Sequence, residues 1–304
     1  MIRGVWRRLG VRAAPSGDDC AFIEIDGVRL ALSSDLSIED THFRTGWMRH
    51  DETGWRAATA ALSDLAAVAA EPLGVLVSVG TSPEYPNDHL AEVMEGVAAA
   101  VEEAGAVIWG GDVVRSDRLM LDVMVIGRLE DEPVRRSGAQ VGDGLFVTGR
   151  LGGPASALQS WQEGREPDAA ARERFVRPHA RIREARWLRD REGGAGAGAH
   201  AMIDLSDGLL PDAAHLAAAS DVACVLDVDA VPLHPTCTDS RAALVSGEEY
   251  ELLVALPDDG AVAGEFSGHF GLSLTRVGRI EAGSGVRLEQ SGEVAQPPDG
   301  FTHF

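Results

Sequence analysis

Apolar and polar positions along this chain repeat with two different periods. In residues 20–34, CAFIEI and VRLALSS flank Asp26-Gly27, a turn pair that favours positive φ, so the segment predicts a β-hairpin. Over 51–70 the period becomes helical. Asp51 can cap this helix, Trp55, Ala58, Leu62 and Leu65 recur on one face, and Pro72 stops it. LGVLVSVG (73–80) predicts a strand, and Asn87 opens a second helix running to about Glu103. AVIWG (106–110) and LMLDVMVIG (119–127) predict two more strands, the first ending in Gly110-Gly111-Asp112. This alternation of strand and helix makes the first half α/β.

A turn-rich stretch, Arg135-Arg136-Ser137-Gly138 followed by Val141-Gly142-Asp143-Gly144, divides the chain into residues 1–137 and 138–304. Beyond it the pattern predicts a strand at 145–149, a helix near 154–163 and a helix over 178–192. GGAGAG (193–198) follows no strand and lacks dinucleotide-fingerprint spacing, so it reads as a connection. A strand (201–205), a helix opening at Ser206, and strands at 222–228 and 250–256 come next. A helix–strand pair (260–280) then leads to a Pro-rich tail. The 304 residues suffice for two domains.

Charge changes the picture. Asp and Glu number 48 against 27 basic residues, a net charge of −21, and every one of those bases is arginine. With no lysine there is no Walker A lysine, no protein-kinase ATP lysine and no Schiff base. Acidity of this size argues against a nucleic-acid partner. No apolar run is long enough to span a bilayer, and the first twelve residues lack a signal-peptide core, so no membrane association is expected. Three cysteines without CxxC spacing predict neither a disulfide framework nor a zinc site, and suit a reducing cytoplasm.

Several acids sit where a solvated surface charge fits badly. Asp18-Asp19 precede the first strand, and Asp35 ends the second, so a hairpin can bring Asp19 and Asp35 together. Asp64 lies in LSDLAAVAA, the most apolar part of its helix, where a buried carboxylate must be paired or bound to a cation. Asp112 ends a strand after two glycines, a place where backbone can approach a phosphate closely. In IDLSDGL, Asp204 and Ser206 leave a strand on the same side, and Ser206 or Asp207 can cap the following helix. Clusters of oxygen ligands alone suit Mg²⁺, Ca²⁺ or Mn²⁺, and carboxylates at strand ends have the chemistry to hold a magnesium nucleotide.

Taken in order, SGDDCA, SSD, THF, LSDLAA, GGD, RSGA with VGD and VTG, IDLSDGL, GEEYEL and a terminal THF resemble the thiamine-monophosphate kinases, one branch of the aminoimidazole-ribonucleotide-synthetase-like ATP enzymes. The resemblance runs from about Ser16 to Phe304. It implies an N-terminal α/β domain whose sheet joins that of a second copy in a dimeric barrel, and an α+β C-terminal domain. It also implies a homodimer that phosphorylates thiamine monophosphate from ATP by direct in-line transfer with several Mg²⁺ ions. By position, Asp19, Asp35, Asp64, Asp112, Asp204 and Asp207 match magnesium ligands, with Ser33 and Asp18 beside them. Ser33, Ser34, Gly111, Asp112, Arg136 and Ser206 match nucleotide contacts. His42 and Glu248 match contacts to the acceptor, and Phe301 is the nearest tail aromatic to stack on its ring. Asp204, Asp207 and Arg136 are the expected catalytic groups. The chain departs from the family pattern at Ala67-Val68-Ala69-Ala70, at Val113 and at Ser246-Gly247-Glu248-Glu249. The alternative is a non-catalytic or differently specific ATP/Mg-binding relative.

Overall fold

A computed structural model of the chain describes Arg8, residues 17–191 and residues 198–298. The predicted hairpin is β1 (Ala21–Ile25) and β2 (Val28–Ile38), joined through Asp26 and Gly27 at φ 51° and 81°. That pair of positive angles is what a two-residue turn of matching twist requires. β2 joins β3 (Glu71–Thr81), β4 (Val107–Arg115) and β5 (Met120–Leu129) in an open five-stranded sheet ordered β1-β2-β5-β3-β4. Only β3 and β4, linked by a crossover helix, run parallel.

Alternation along β5 decides what covers this sheet. Leu121, Val123 and Val125 are fully buried beneath α1 (His50–Ala67), while Met120, Asp122 and Met124 line the opposite face and are only half-buried. Helix α2 (Asn87–Glu103) packs on α1 instead of on the strands. Two glycines permit that contact. A Cβ on Gly54 would stand 1.8 Å from the Val93 carbonyl oxygen, and one on Gly96 would stand 1.8 Å from that of Asp51.

The second half is a seven-stranded mixed sheet ordered β12-β11-β8-β10-β6-β9-β7. Its strands are β6 (Gly144–Thr148), β7 (Ala201–Asp204), β8 (Ala223–Asp227), β9 (Leu252–Leu256), β10 (Leu274–Glu281), β11 (Gly285–Gln290) and β12 (Glu293–Ala295). Helices α3 (Gly153–Gln162), α4 (Ala169–Val176), α5 (Ile182–Asp190) and α8 (Val262–Phe270) share one core with the first half, and α6 (Leu209–Ser220) packs into a second core with the short α7 (Ser240–Leu244). Helix α1 joins the two halves. Trp55 Nε1 donates to the Pro178 carbonyl at 2.7 Å, Arg56 Nη1 to the Phe175 carbonyl at 2.7 Å, and Arg172 pairs with Glu52 at 2.6 Å. Among the described residues no helix is long and apolar enough to cross a membrane.

The fold corrects several expectations. The helix expected over 178–192 is shorter, α5 (Ile182–Asp190), and a helix that was not expected, α4, precedes it and stops before Pro178, with Asp168 capping its start through the Ala170 N–H at 2.8 Å. β2 runs on to Ile38 and β4 to Arg115, so Asp35 and Gly110-Gly111-Asp112 lie inside strands and end neither. A Cβ on Gly111 would meet the Val77 carbonyl oxygen at 1.7 Å, so the close approach it permits is to β3. Helix α6 begins at Leu209 after Gly208 at φ 119°, with neither Ser206 nor Asp207 as its cap. Asp212 takes that role by accepting the N–H groups of Asp207 (3.1 Å) and Gly208 (3.0 Å). Two short strands, β11 and β12, precede the Pro-rich tail. Residues 193–197 of the glycine-rich stretch and Phe301 lie outside the described residues.

Gly54→Ala should lower the urea midpoint by the equivalent of about 1–3 kcal/mol, since backbone on α2 must move to admit the methyl group. Gly264→Ala in α8, where nothing stands within 4 Å of the new Cβ, should leave it unchanged or raise it.

Candidate active site

Three carboxylates from distant parts of the chain converge where the two halves meet. Asp19 precedes β1, Asp64 is on α1 and Asp204 ends β7, and each offers an oxygen within 4.8 Å of the other two. Their partners are few. Ser33 Oγ donates to Asp64 Oδ2 at 2.6 Å, Ser63 Oγ donates to Asp204 Oδ2 at 2.6 Å, and Arg136 grips Asp19 with Nη2 at 2.6 Å and Nε at 3.0 Å.

Two charges this close repel by about 3 kcal/mol at an effective dielectric constant of 20, so three ionised carboxylates with one arginine are far from neutralised. Their titration reflects this. Burial, then Asp204 and Asp19, push the Asp64 carboxyl well above the usual range. Burial, then Asp19, push Asp204 up to about 7. Burial raises Asp19 as well, although Arg136 opposes it. Buried oxygen ligands that repel one another, with hydroxyls beside them and no nitrogen or sulfur among the clustered ligands, suit a hard divalent cation such as Mg²⁺.

From this cluster a cavity of about 590 Å³ opens, lined by Asp35, Asp64, Asp204, Ser206, Asp207, His42 and Glu248 among others. Burial raises the Asp35 carboxyl. His42 Nδ1 accepts the Ile38 N–H at 3.0 Å, so in the neutral ring the proton sits on Nε2. Glu248 is ion-paired with Arg56, whose guanidinium lies 3.9 Å above the Phe175 ring. Glu248 and Tyr250 hold left-handed backbone at φ 60° and 51°. That strain is tolerated because Glu248 N–H donates to Ser206 O at 2.7 Å and Tyr250 N–H to Leu205 O at 2.9 Å, zipping GEEYEL onto IDLSDGL.

Beneath this segment lies a buried ion network. Arg174 and Arg181 pair with Glu251 at 2.8 and 2.5 Å, and together they outweigh the burial that would raise its carboxyl. Glu249 accepts Ser246 Oγ at 2.6 Å and the Gly152 N–H at 2.5 Å, yet its Oε2 has no hydrogen-bond partner. Burial pushes it up to about 7 against the pull of Arg174.

Not every expected residue arrives at the cluster. Asp18 is taken by Arg135 and the Arg136 N–H, at 3.3 and 3.2 Å. Ser34 borders the cavity, but its hydroxyl donates to Asp122 at 2.5 Å and not to the cluster. Gly111 and Asp112 lie on exposed β4, at the edge of the sheet separated from β2 by β5 and β3, so one protomer does not bring Asp112 to Asp19 or Asp35. Asp207 lines the cavity but groups with Asp212 and His215 instead. Sequence reasoning missed Arg56 and Ser63. Each stands in an apolar helix like Asp64, and the same question of what a buried polar group binds would have found them.

Fold and site together define an AIR synthase related protein: models of the N-terminal and C-terminal domains of that group match residues 17–129 and 140–290. A thiamine-monophosphate kinase from Methanospirillum hungatei is 32% identical over 94% of this chain and 92% of its own length, and one from Pyrococcus horikoshii is 30% identical over 93% and 88%. The solved structure of AaThiL complexed with AMPPCP and TMP superposes with a TM-score of 0.86 at 28% identity, covering 100% of this chain and 96% of that one. The chain belongs to the thiamine-monophosphate kinase family.

Glu249 gives a pH test. With its folded value near 7 and its ordinary value at 4.5, the folded state keeps a proton that the unfolded state releases between these limits. Its contribution to stability is therefore present below the lower value and lost as pH rises through the upper one. Glu249→Gln cannot ionise, so wild-type stability minus variant stability, from urea unfolding, should fall by about 1–3 kcal/mol between pH 5 and pH 8.

Proposed function

We propose that this protein transfers the γ-phosphoryl group of ATP to thiamine monophosphate, giving thiamine diphosphate and ADP. The observation that carries the reading is the Asp19–Asp64–Asp204 cluster at the head of a cavity large enough for a small-molecule acceptor. Kinases of the same family at 30–32% identity and a neighbour solved with AMPPCP and TMP support it.

In this reading Asp19, Asp64 and Asp204 hold magnesium ions, with Asp35 and Asp207 on the adjoining wall. Bound there, Mg²⁺ neutralises phosphate oxygens and the charge that develops during transfer. The chain does the rest by position. Arg136 fixes Asp19, Ser33 and Ser63 orient Asp64 and Asp204, and Arg56 holds Glu248 against the acceptor with His42 opposite. The acceptor oxygen belongs to a phosphate already ionised at neutral pH, so no strong general base is needed. Ser206, at the cavity edge, and Arg136 face the nucleotide. The division at 137/138 places Asp19 and Asp64 in one half and Asp204 in the other, so the cation site lies between them, and three buried free cysteines suit the cytoplasm.

The reading extends to a homodimer. The first sheet carries helices on one face only, and its edge strands expose Ile25, Val107, Trp109, Val113 and Val114. A second copy closing a barrel over that face covers them and removes both open edges. Gly111 and Asp112 then lie at the interface, where Asp112 can reach a nucleotide held by the neighbouring chain.

Purified protein with Mg-ATP should convert thiamine monophosphate to the diphosphate, detected by chromatography. ATP binding without turnover across a range of Mg²⁺ concentrations would point to a binding module instead. Asp64→Asn and Asp204→Asn should each lower kcat by about a hundredfold or more while circular dichroism stays native. In sedimentation velocity, wild type should run as a dimer and Val113→Glu with Val114→Glu as a monomer; a wild-type monomer at micromolar concentration rules the barrel out.

A further inference from the structure

The cavity is lined by two chemically different sets of side chains: Asp64, Asp204 and Asp207 are acidic, and Phe43, Trp47, Pro154, Leu158 and Phe175 are apolar. Trp47 is half-buried, and its indole lies parallel to that of Trp161, with centroids 5.2 Å apart and planes 3° from parallel. Trp161 meets Phe175 edge-on at 5.2 Å and 75°, so the ring that backs Trp47 is itself fixed in the core. Trp47 already attracts a cation, for the guanidinium carbon of Arg44 lies 4.7 Å from its centroid. Arg44 is exposed, borders the same cavity, and has no ion pair with a carboxylate among the described residues.

We infer that Trp47 is the platform for the cationic ring of the acceptor and sets the specificity of this chain for it, with the Arg44 guanidinium occupying that seat until the acceptor displaces it. The inference rests on the kinase reading. Thiamine monophosphate is bipolar, with a phosphate at one end and a permanently charged thiazolium beside a flat pyrimidine at the other. Its phosphate must reach the acids, which leaves its rings to the aromatic side chains that line the same cavity. There an indole face attracts a flat cation both by its quadrupole and by area. A rigid indole loses little conformational freedom on binding, whereas a flexible side chain would be ordered at a cost. Platform and tail are separable, because Trp47 needs no residue beyond 298 to meet the cavity.

Two readouts test this. Trp47→Leu should raise KM for thiamine monophosphate about tenfold, as expected for loss of a desolvated cation–π contact, and leave KM for ATP within about twofold. Trp47→Phe should recover most of that loss. Arg44→Ala should hold KM for the acceptor level or lower it; a tenfold rise overturns the displacement. Titrating thiamine monophosphate without ATP should quench tryptophan fluorescence of the wild type, with a smaller amplitude in Trp47→Phe. An uncharged thiazole phosphate should bind wild type and Trp47→Leu alike. A saturable quench in a wild type that turns nothing over sinks the kinase reading and keeps the platform. A quench of equal amplitude in Trp47→Phe, or an acceptor KM unmoved in Trp47→Leu, overturns the platform while the kinase reading stands. If Trp47→Leu does not fold, Trp47→Phe decides alone by its quench amplitude.

Discussion

Mutual repulsion among Asp19, Asp64 and Asp204 is the constraint on which the rest depends. Three acids within 4.8 Å of one another destabilise the folded chain unless something compensates, and the compensation reaches through the molecule. Helix α1 carries Asp64 into the contact, and its burial on nearly every side keeps it from retreating. The small side chains that end that helix, Ala66 through Ala70, are all fully buried, which allows sheet and helix to approach closely. Arg136 offsets part of the charge and draws the 135–136 loop onto the residues before β1. The remaining charge is what the proposed cations would offset.

Around that cluster the second half acts as a brace. Arg174, Arg181 and Glu251 form a buried network in which each charge has a partner, while Glu249 and Arg174 each leave one atom without a hydrogen bond. Removing a single partner from such a network costs more than the network contributes. It holds Glu248 and Tyr250 in left-handed conformations that no propensity favours, so that Glu248 and the buried Tyr250 both line the cavity. Arg56 ties the same segment to α1. Glu248 and the helix that carries Asp64 are thus tied together, as the proposed transfer would require, since geometry supplies most of its rate.

Much of this was legible along the chain. The Asp26-Gly27 hairpin, the helix from Asn87 to Glu103 and the strand at 145–149 follow from period and turn chemistry, which are local. Misreadings arose where local signals were weak or overridden. Helix α4, AAARERFV, is too short to declare a period, and it is held by Ala171, Phe175 and Val176, buried in the core it shares with α1. The Gly110-Gly111 pair looked like a phosphate turn because glycine marks close approach without saying to what; the partner is β3. Asp207 looked like a helix cap, and Asp212, five residues on, performs that task by reaching back.

The sequence by itself determined which acids are out of place, that lysine-based nucleotide chemistry is excluded, and that oxygen ligands with arginines are what this chain has to offer a polyanion. These are matters of residue type and local period. Only the tertiary structure decided which acids meet. Asp19, Asp64 and Asp204 are far apart in the chain, and their convergence is fixed by the packing of α1 between two sheets. The same packing leaves Asp18 with Arg135, Asp207 with Asp212, and Asp112 on an open edge. Ligand sets depend on distances of a few ångströms, and those distances are set by long-range burial that no stretch of sequence contains.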